Sequence, residues 1–139
     1  MGTALLFTLA ALCAAAPSAG SVEPCALLTR AEVAAALGAA AGPGSPDKAR
    51  GCNRCQWTSP DEQKIAFVTI VQAWDFQLAR TGGGKLVHGI GEEAVWATGS
   101  LFIRKGSAFV QVGLYLGDTS MKAMDPEILE LGKAAAGRM

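Results

Sequence analysis

The chain has 139 residues, with 12 Lys and Arg against 12 Asp and Glu, a single His, four Cys and 50 % hydrophobic residues. That length holds one domain, and the balanced charge gives no electrostatic case for nucleic acid, whose phosphates demand a basic excess. The composition is neither the charge-rich, apolar-poor one of disorder nor that of a repeat array.

No charged side chain occurs before Glu23. The run Ala4–Ala16 is almost wholly apolar and would be about 20 Å long as a helix at ~1.5 Å per residue. A bilayer core asks for ~30 Å. The run therefore suits the apolar region of a secretory signal. Pro17 ends it, and Ser18-Ala19-Gly20 offers small residues for cleavage before Ser21. No Lys or Arg precedes the run, so the amino terminus alone supplies its positive charge. Cys13 is a poor lipid-attachment site, because Leu12 stands where a small residue is required. The expectation is a signal peptide over residues 1–20, then one secreted or periplasmic domain over residues 21–139, with no membrane span after signal removal.

Thr29-x-x-Glu32 reads as a capping box, opening a helix through Val33 and Leu37 that stops at Gly38; Leu28 is placed to staple against Val33. Residues 39–51 read as a Gly/Pro loop. Strands are expected at Cys55–Ser59 and Lys64–Gln72 across the turn Pro60-Asp61-Glu62-Gln63, the second one apolar on both faces and hence central. Residues 73–81 are ambiguous between a short helix and a lid, and Gly82-Gly83-Gly84 reads as flexible. A meander follows over Glu93–Ala97, Ser100–Arg104 and Ala108–Leu116, turned at Thr98-Gly99 and Lys105-Gly106-Ser107. Asp125 and Pro126 open a last helix with a stripe of Ile128, Leu131 and Ala135, in which Gly132 costs about 1 kcal/mol relative to alanine. The order of elements predicts an α+β fold: an antiparallel sheet of about five strands with an N-terminal and a C-terminal helix packed on one face.

Signal removal leaves Cys25, Cys52 and Cys55, which in an oxidising compartment are disulfide candidates first. Cys25 with Cys55 would close a loop of about 30 residues, a brace of roughly 3–4 kcal/mol on the chain-entropy model. Cys25 with Cys52 is nearly equivalent. Cys52 with Cys55 has the spacing of a thiol-redox pair, but nothing evident in the surrounding loop would depress a thiolate pKa. Cys25, Cys52, Cys55 and His88 add up to a Cys₃His metal set, although only the Cys52/Cys55 spacing is that of a metal site.

The other constellations fail. Gly82-Gly83-Gly84-Lys85 lacks the earlier glycine of a phosphate loop, where Ala79 stands, and the Ser or Thr after the lysine, where Leu86 stands. His88 has no Gly-x-Ser-x-Gly elbow to partner. Glu92 and Glu93 would point to opposite faces of a strand. Arg104-Lys105 reads as a solvated hairpin tip. Trp57, Trp74, Trp96 and Phe76 are most simply core; a carrier would instead set Trp74, Phe76 and Trp96 around a cleft under the Gly82–Gly84 hinge. No catalytic, cofactor-binding or metal residue is assigned, and the chain is expected not to be an enzyme.

Pro24-Cys25-Ala26-Leu27-Leu28-Thr29, then Cys55-Gln56-Trp57, then Gly89-Ile90-Gly91-Glu92-Glu93-Ala94, then Arg104-Lys105-Gly106 resembles a group of small secreted bacterial proteins and lipoproteins, common in high-GC bacteria, that carry a domain of unknown function. The likeness covers roughly residues 24–136. It implies that Cys25 and Cys55 are disulfide partners, and it leaves Cys52 outside the pattern. A lipid-attachment motif is frequent in the group, and Leu12-Cys13 departs from it. The group supplies no binding or catalytic residues to carry over. The functional expectation is an exported cell-envelope protein, a non-enzymatic module that binds an unidentified protein or small ligand, without cofactor. The alternatives are a thiol-redox protein using Cys52 and Cys55, or a small-ligand carrier.

Overall fold

The computed structural model describes residues 22–48, 51, 53–117 and 125–139. The expected signal segment, Cys13 and Cys52 lie outside them. After a short 3₁₀ turn at Pro24–Ala26 come α1 (Arg30–Leu37), β1 (Ser45–Pro46), β2 (Arg54–Thr58), β3 (Lys64–Ile70), α2 (Ala73–Thr81), β4 (Lys85–Val87), β5 (Glu93–Ala97), β6 (Ser100–Lys105), β7 (Ala108–Leu116) and α3 (Pro126–Arg138). The strands form one sheet in the order β1-β2-β3-β7-β6-β5-β4, every pairing antiparallel. The α+β reading stands, with seven strands in place of about five. The two additions are both edges: Ser45–Pro46 inside the expected loop, and Lys85–Val87 after the glycines.

Local chemistry explains the boundaries. The Thr29 hydroxyl accepts from the Glu32 N–H while the Glu32 carboxylate accepts from the Thr29 N–H, and Gly38 closes α1 at φ 62°. Thr98 and Gly99 both have positive φ (53° and 78°), the primed turn that matches sheet twist. In the β2–β3 turn the Ser59 hydroxyl donates to Asp61, whose carboxylate also accepts from the Gln63 N–H; those two bonds, the Ser59 one first, hold the Asp61 carboxyl below its ordinary range.

Helices α1 and α3 lie on one face of the sheet. Their Val33, Leu37, Ile128, Leu131 and Ala135 close a core with Ala66, Val68, Leu101, Ile103, Val110 and Val112. Cys55 and Trp57 sit on the same face and are sealed from solvent. Cys25 and Cys55 form a disulfide, with Cα atoms 5.1 Å apart, so the turn before α1 is bonded to β2. Sheet lysines finish both helices: Lys64 Nζ donates to the Leu37 carbonyl (3.1 Å) and Lys105 Nζ to the Ala136 carbonyl (2.9 Å), meeting the negative end of each helix dipole. Among the described residues no helix is long and apolar enough to cross a membrane.

Helix α2 crosses the opposite face. Phe76 and Ala79 pack with Val95 and Phe102 in a small separate core, and the Phe76 ring meets Phe109 with centroids 5.5 Å apart. The ambiguous stretch is therefore a helix on the face that the two-helix reading left bare.

Candidate functional site

Antiparallel register places Arg54, Thr69, Gln111, Phe102, Val95 and Leu86 in one row across the α2 side of the sheet. Strand alternation then aligns their side chains on that face. Helix α2 covers only the Phe102–Val95 end of the row, and a groove opens beside it. Its cavity is about 430 Å³, within the range of small-molecule sites. The sheet supplies Thr69, Ile70, Phe102 and Gln111; the helix supplies Asp75, Leu78 and Ala79. Ala97 and Thr98, at the β5–β6 turn, complete one end. The floor is largely apolar, with hydroxyl and amide groups from Thr69, Thr98 and Gln111.

Asp75 is fixed in place. It sits three residues into α2, and its carboxylate accepts from the Gln72 N–H at 2.9 Å. One ion pair anchors the far end of the helix: Arg80 Nε lies 3.1 Å from Glu93, which also approaches Arg104 Nε on β6 at 3.6 Å. Glu92 joins the set through Arg104 at 2.6 Å and accepts from the Gly106 N–H. The adjacent glutamates thus converge on one arginine instead of diverging, because Glu92 precedes the strand and reaches across the hairpin. Arg104 and Lys105 are structural and not a solvated tip.

The glycines after α2 do not behave as a hinge. Gly82 and Gly84 donate to the Leu78 and Ala79 carbonyls, and a Cβ on Gly84 would fall 2.2 Å from the Ala79 carbonyl oxygen and 2.4 Å from Val95 Cγ1. The turn is closed against the sheet.

The three rings that a carrier would set around a cleft do not gather. Phe76 is 3 % exposed, under α2. Trp96 belongs to the α1/α3 face, packed against the main core, because it is one residue out of phase with Val95. Trp74 is 67 % exposed and stands two residues from Phe76, on the other side of the helix. The lining residues that sequence reasoning missed are Thr69, Asp75, Leu78, Phe102 and Gln111. Their signal is the cross-strand register, which becomes legible only once the strand pairing is known. Beyond the groove no helix among the described residues covers the sheet face: Phe67 lies across Gly113 and the Arg54 guanidinium stacks on its ring at 3.9 Å.

A second cleft, about 460 Å³, runs between α1 and α3 over Ala35, Ala36, Leu131 and Ala134. Its polar groups are carboxylates only, those of Glu32, Glu127 and Glu130, and Glu32 is already bound to Arg138.

The disulfide changes two readings. With Cys55 bonded to Cys25 and fully buried, a Cys52–Cys55 redox couple has no second thiol to use. The Cys₃His set likewise loses two thiolates, and among the described residues no group of three or more His, Cys, Asp or Glu is arranged to hold a metal ion. His88 is exposed, between β4 and β5. Comparisons with protein-family models, curated proteins and solved structures return no match.

Proposed function

We propose that this chain is an exported, disulfide-braced binding module of the cell envelope, and that it holds a small, largely apolar ligand in the groove between α2 and the sheet. The observation that carries the reading is the half-covered face: α2 shields one end of a register-aligned row and leaves Thr69, Gln111 and one edge of Phe102 to a cavity of about 430 Å³. Leu78, 50 % exposed on the rim, is a side chain whose apolar surface a ligand would cover. The buried Cys25–Cys55 bond supports an oxidising compartment, and the apolar leader supports export.

The lining favours binding over turnover. Its groups are hydroxyls, an amide and one carboxylate that already caps a helix, and the chain's single histidine stands outside it. Titration of ¹⁵N-labelled protein with n-octanol tests the reading. Amide shifts should concentrate at Thr69, Leu78, Thr98 and Gln111. Shifts confined to the α1–α3 cleft, or hydrolysis of ester, peptide or phosphate substrates that disappears in His88→Ala, would overturn it.

A further inference from the structure

The charge of the groove is one-sided. Among the described residues that line it, Asp75 is the only ionisable group; Thr69, Thr98 and Gln111 are neutral, and no described Lys, Arg or His takes part. The described cations nearby are engaged elsewhere: Arg80 and Arg104 are paired with Glu92 and Glu93, and the Arg54 guanidinium lies over the Phe67 ring, on the strand beyond Thr69. Asp75 spends one bond on the Gln72 N–H, while a carboxylate offers about four acceptor positions. It therefore retains capacity for a second donor. Asp75 is exposed at the rim of the groove, so it attracts a cation and repels an anion as a solvent-screened charge.

Resting on the binding-groove reading above, we propose that the ligand is an apolar amine: a hydrocarbon body over Phe102, Val71 and Leu78, with an ammonium group against Asp75. The hydroxyls of Thr69 and Thr98 and the Gln111 carbonyl are available for its remaining N–H donors. Acyl carboxylates and phosphate-bearing lipids are disfavoured at the same place, because their charge would meet Asp75.

The test uses the full oxidised chain at neutral pH and three probes with one hydrocarbon tail: n-octylamine, n-octanol and octanoate, each followed by calorimetry and by the Leu78 and Gln111 amides. Octylamine should bind about fivefold tighter than octanol, the size of effect expected of a partly solvated ion pair, with octanoate weakest. Asp75→Asn keeps an oxygen for the Gln72 N–H, so it should erase the amine preference and leave octanol binding in place. Octanoate binding as well as octylamine, or an amine preference that survives Asp75→Asn, overturns the proposal while the groove reading stands. If none of the three probes moves those amides, the groove reading fails and this proposal falls with it.

Discussion

Arg138 closes a two-bond ion pair with Glu32, 106 residues earlier, each contact 2.8 Å. The same carboxylate caps α1 through the Thr29 N–H, and the same guanidinium donates to the Leu27 carbonyl. One pair therefore locks the start of the first helix to the end of the last. The Arg138 bond, ahead of the Thr29 contacts, holds the Glu32 carboxyl down to about 2 from an ordinary 4.5. A depressed folded-state pKa stabilises above the unfolded value and loses that contribution as pH falls. Because both partners are about one-third exposed, solvent screening reduces the gain to about 1 kcal/mol. Glu32→Gln keeps the cap but removes the charge, so urea unfolding at pH 7 should show that loss. The difference from the parent should shrink as pH falls from 4.5 towards 2.

Gly132 is an exception to helix propensity. In an isolated helix Gly132→Ala would gain about 1 kcal/mol. Here a Cβ would lie 2.4 Å from Leu101 Cδ2, and Leu101 is fully buried. The expected outcome is destabilisation by roughly 1–2 kcal/mol from overpacking, with Leu101→Val recovering part of it in a double-mutant cycle.

Gly84→Ala separates a closed turn from a hinge. A hinge glycine tolerates alanine and gains a little by restricting the unfolded chain. Collision with the Ala79 carbonyl and Val95 should instead cost on the order of 2 kcal/mol or more. Hydrogen exchange should show faster opening in α2 and β4, with α3 much less affected.

Removing the disulfide in Cys25→Ser with Cys55→Ala should lower stability by about 3 kcal/mol, given the 30-residue separation of the two cysteines. Since α2 and the groove are built on other strands, octanol binding should persist wherever the variant remains folded.

These elements also mark how far the sequence could be read. Local chemistry identified α1, the start of α3 and the Thr98-Gly99 turn, because each depends on residues within one or two turns of each other. The edge strands escaped it: two residues in β1, one a proline, and three in β4 are too short to display alternation. Helix α2 was obscured for a different reason. Trp74, Phe76 and Leu78 alternate like a strand, while the residues it buries are Phe76 and Ala79, and its partners lie on strands β5 and β6. The groove was the least legible part, since Thr69, Gln111 and Phe102 become neighbours only through the β3–β7–β6 register. Glu92 and Glu93 show the same limit, as their common target is set by the fold of a hairpin.

The central claim, a chain exported into an oxidising compartment and braced there, is most directly tested by mass spectrometry of protein taken from its native host, alkylated before digestion without reduction. The account predicts a chain beginning near Ser21, one cross-linked peptide joining Cys25 to Cys55, and a single alkylated thiol at Cys52. A chain retaining Met1 with Cys25, Cys52 and Cys55 all alkylated would contradict it.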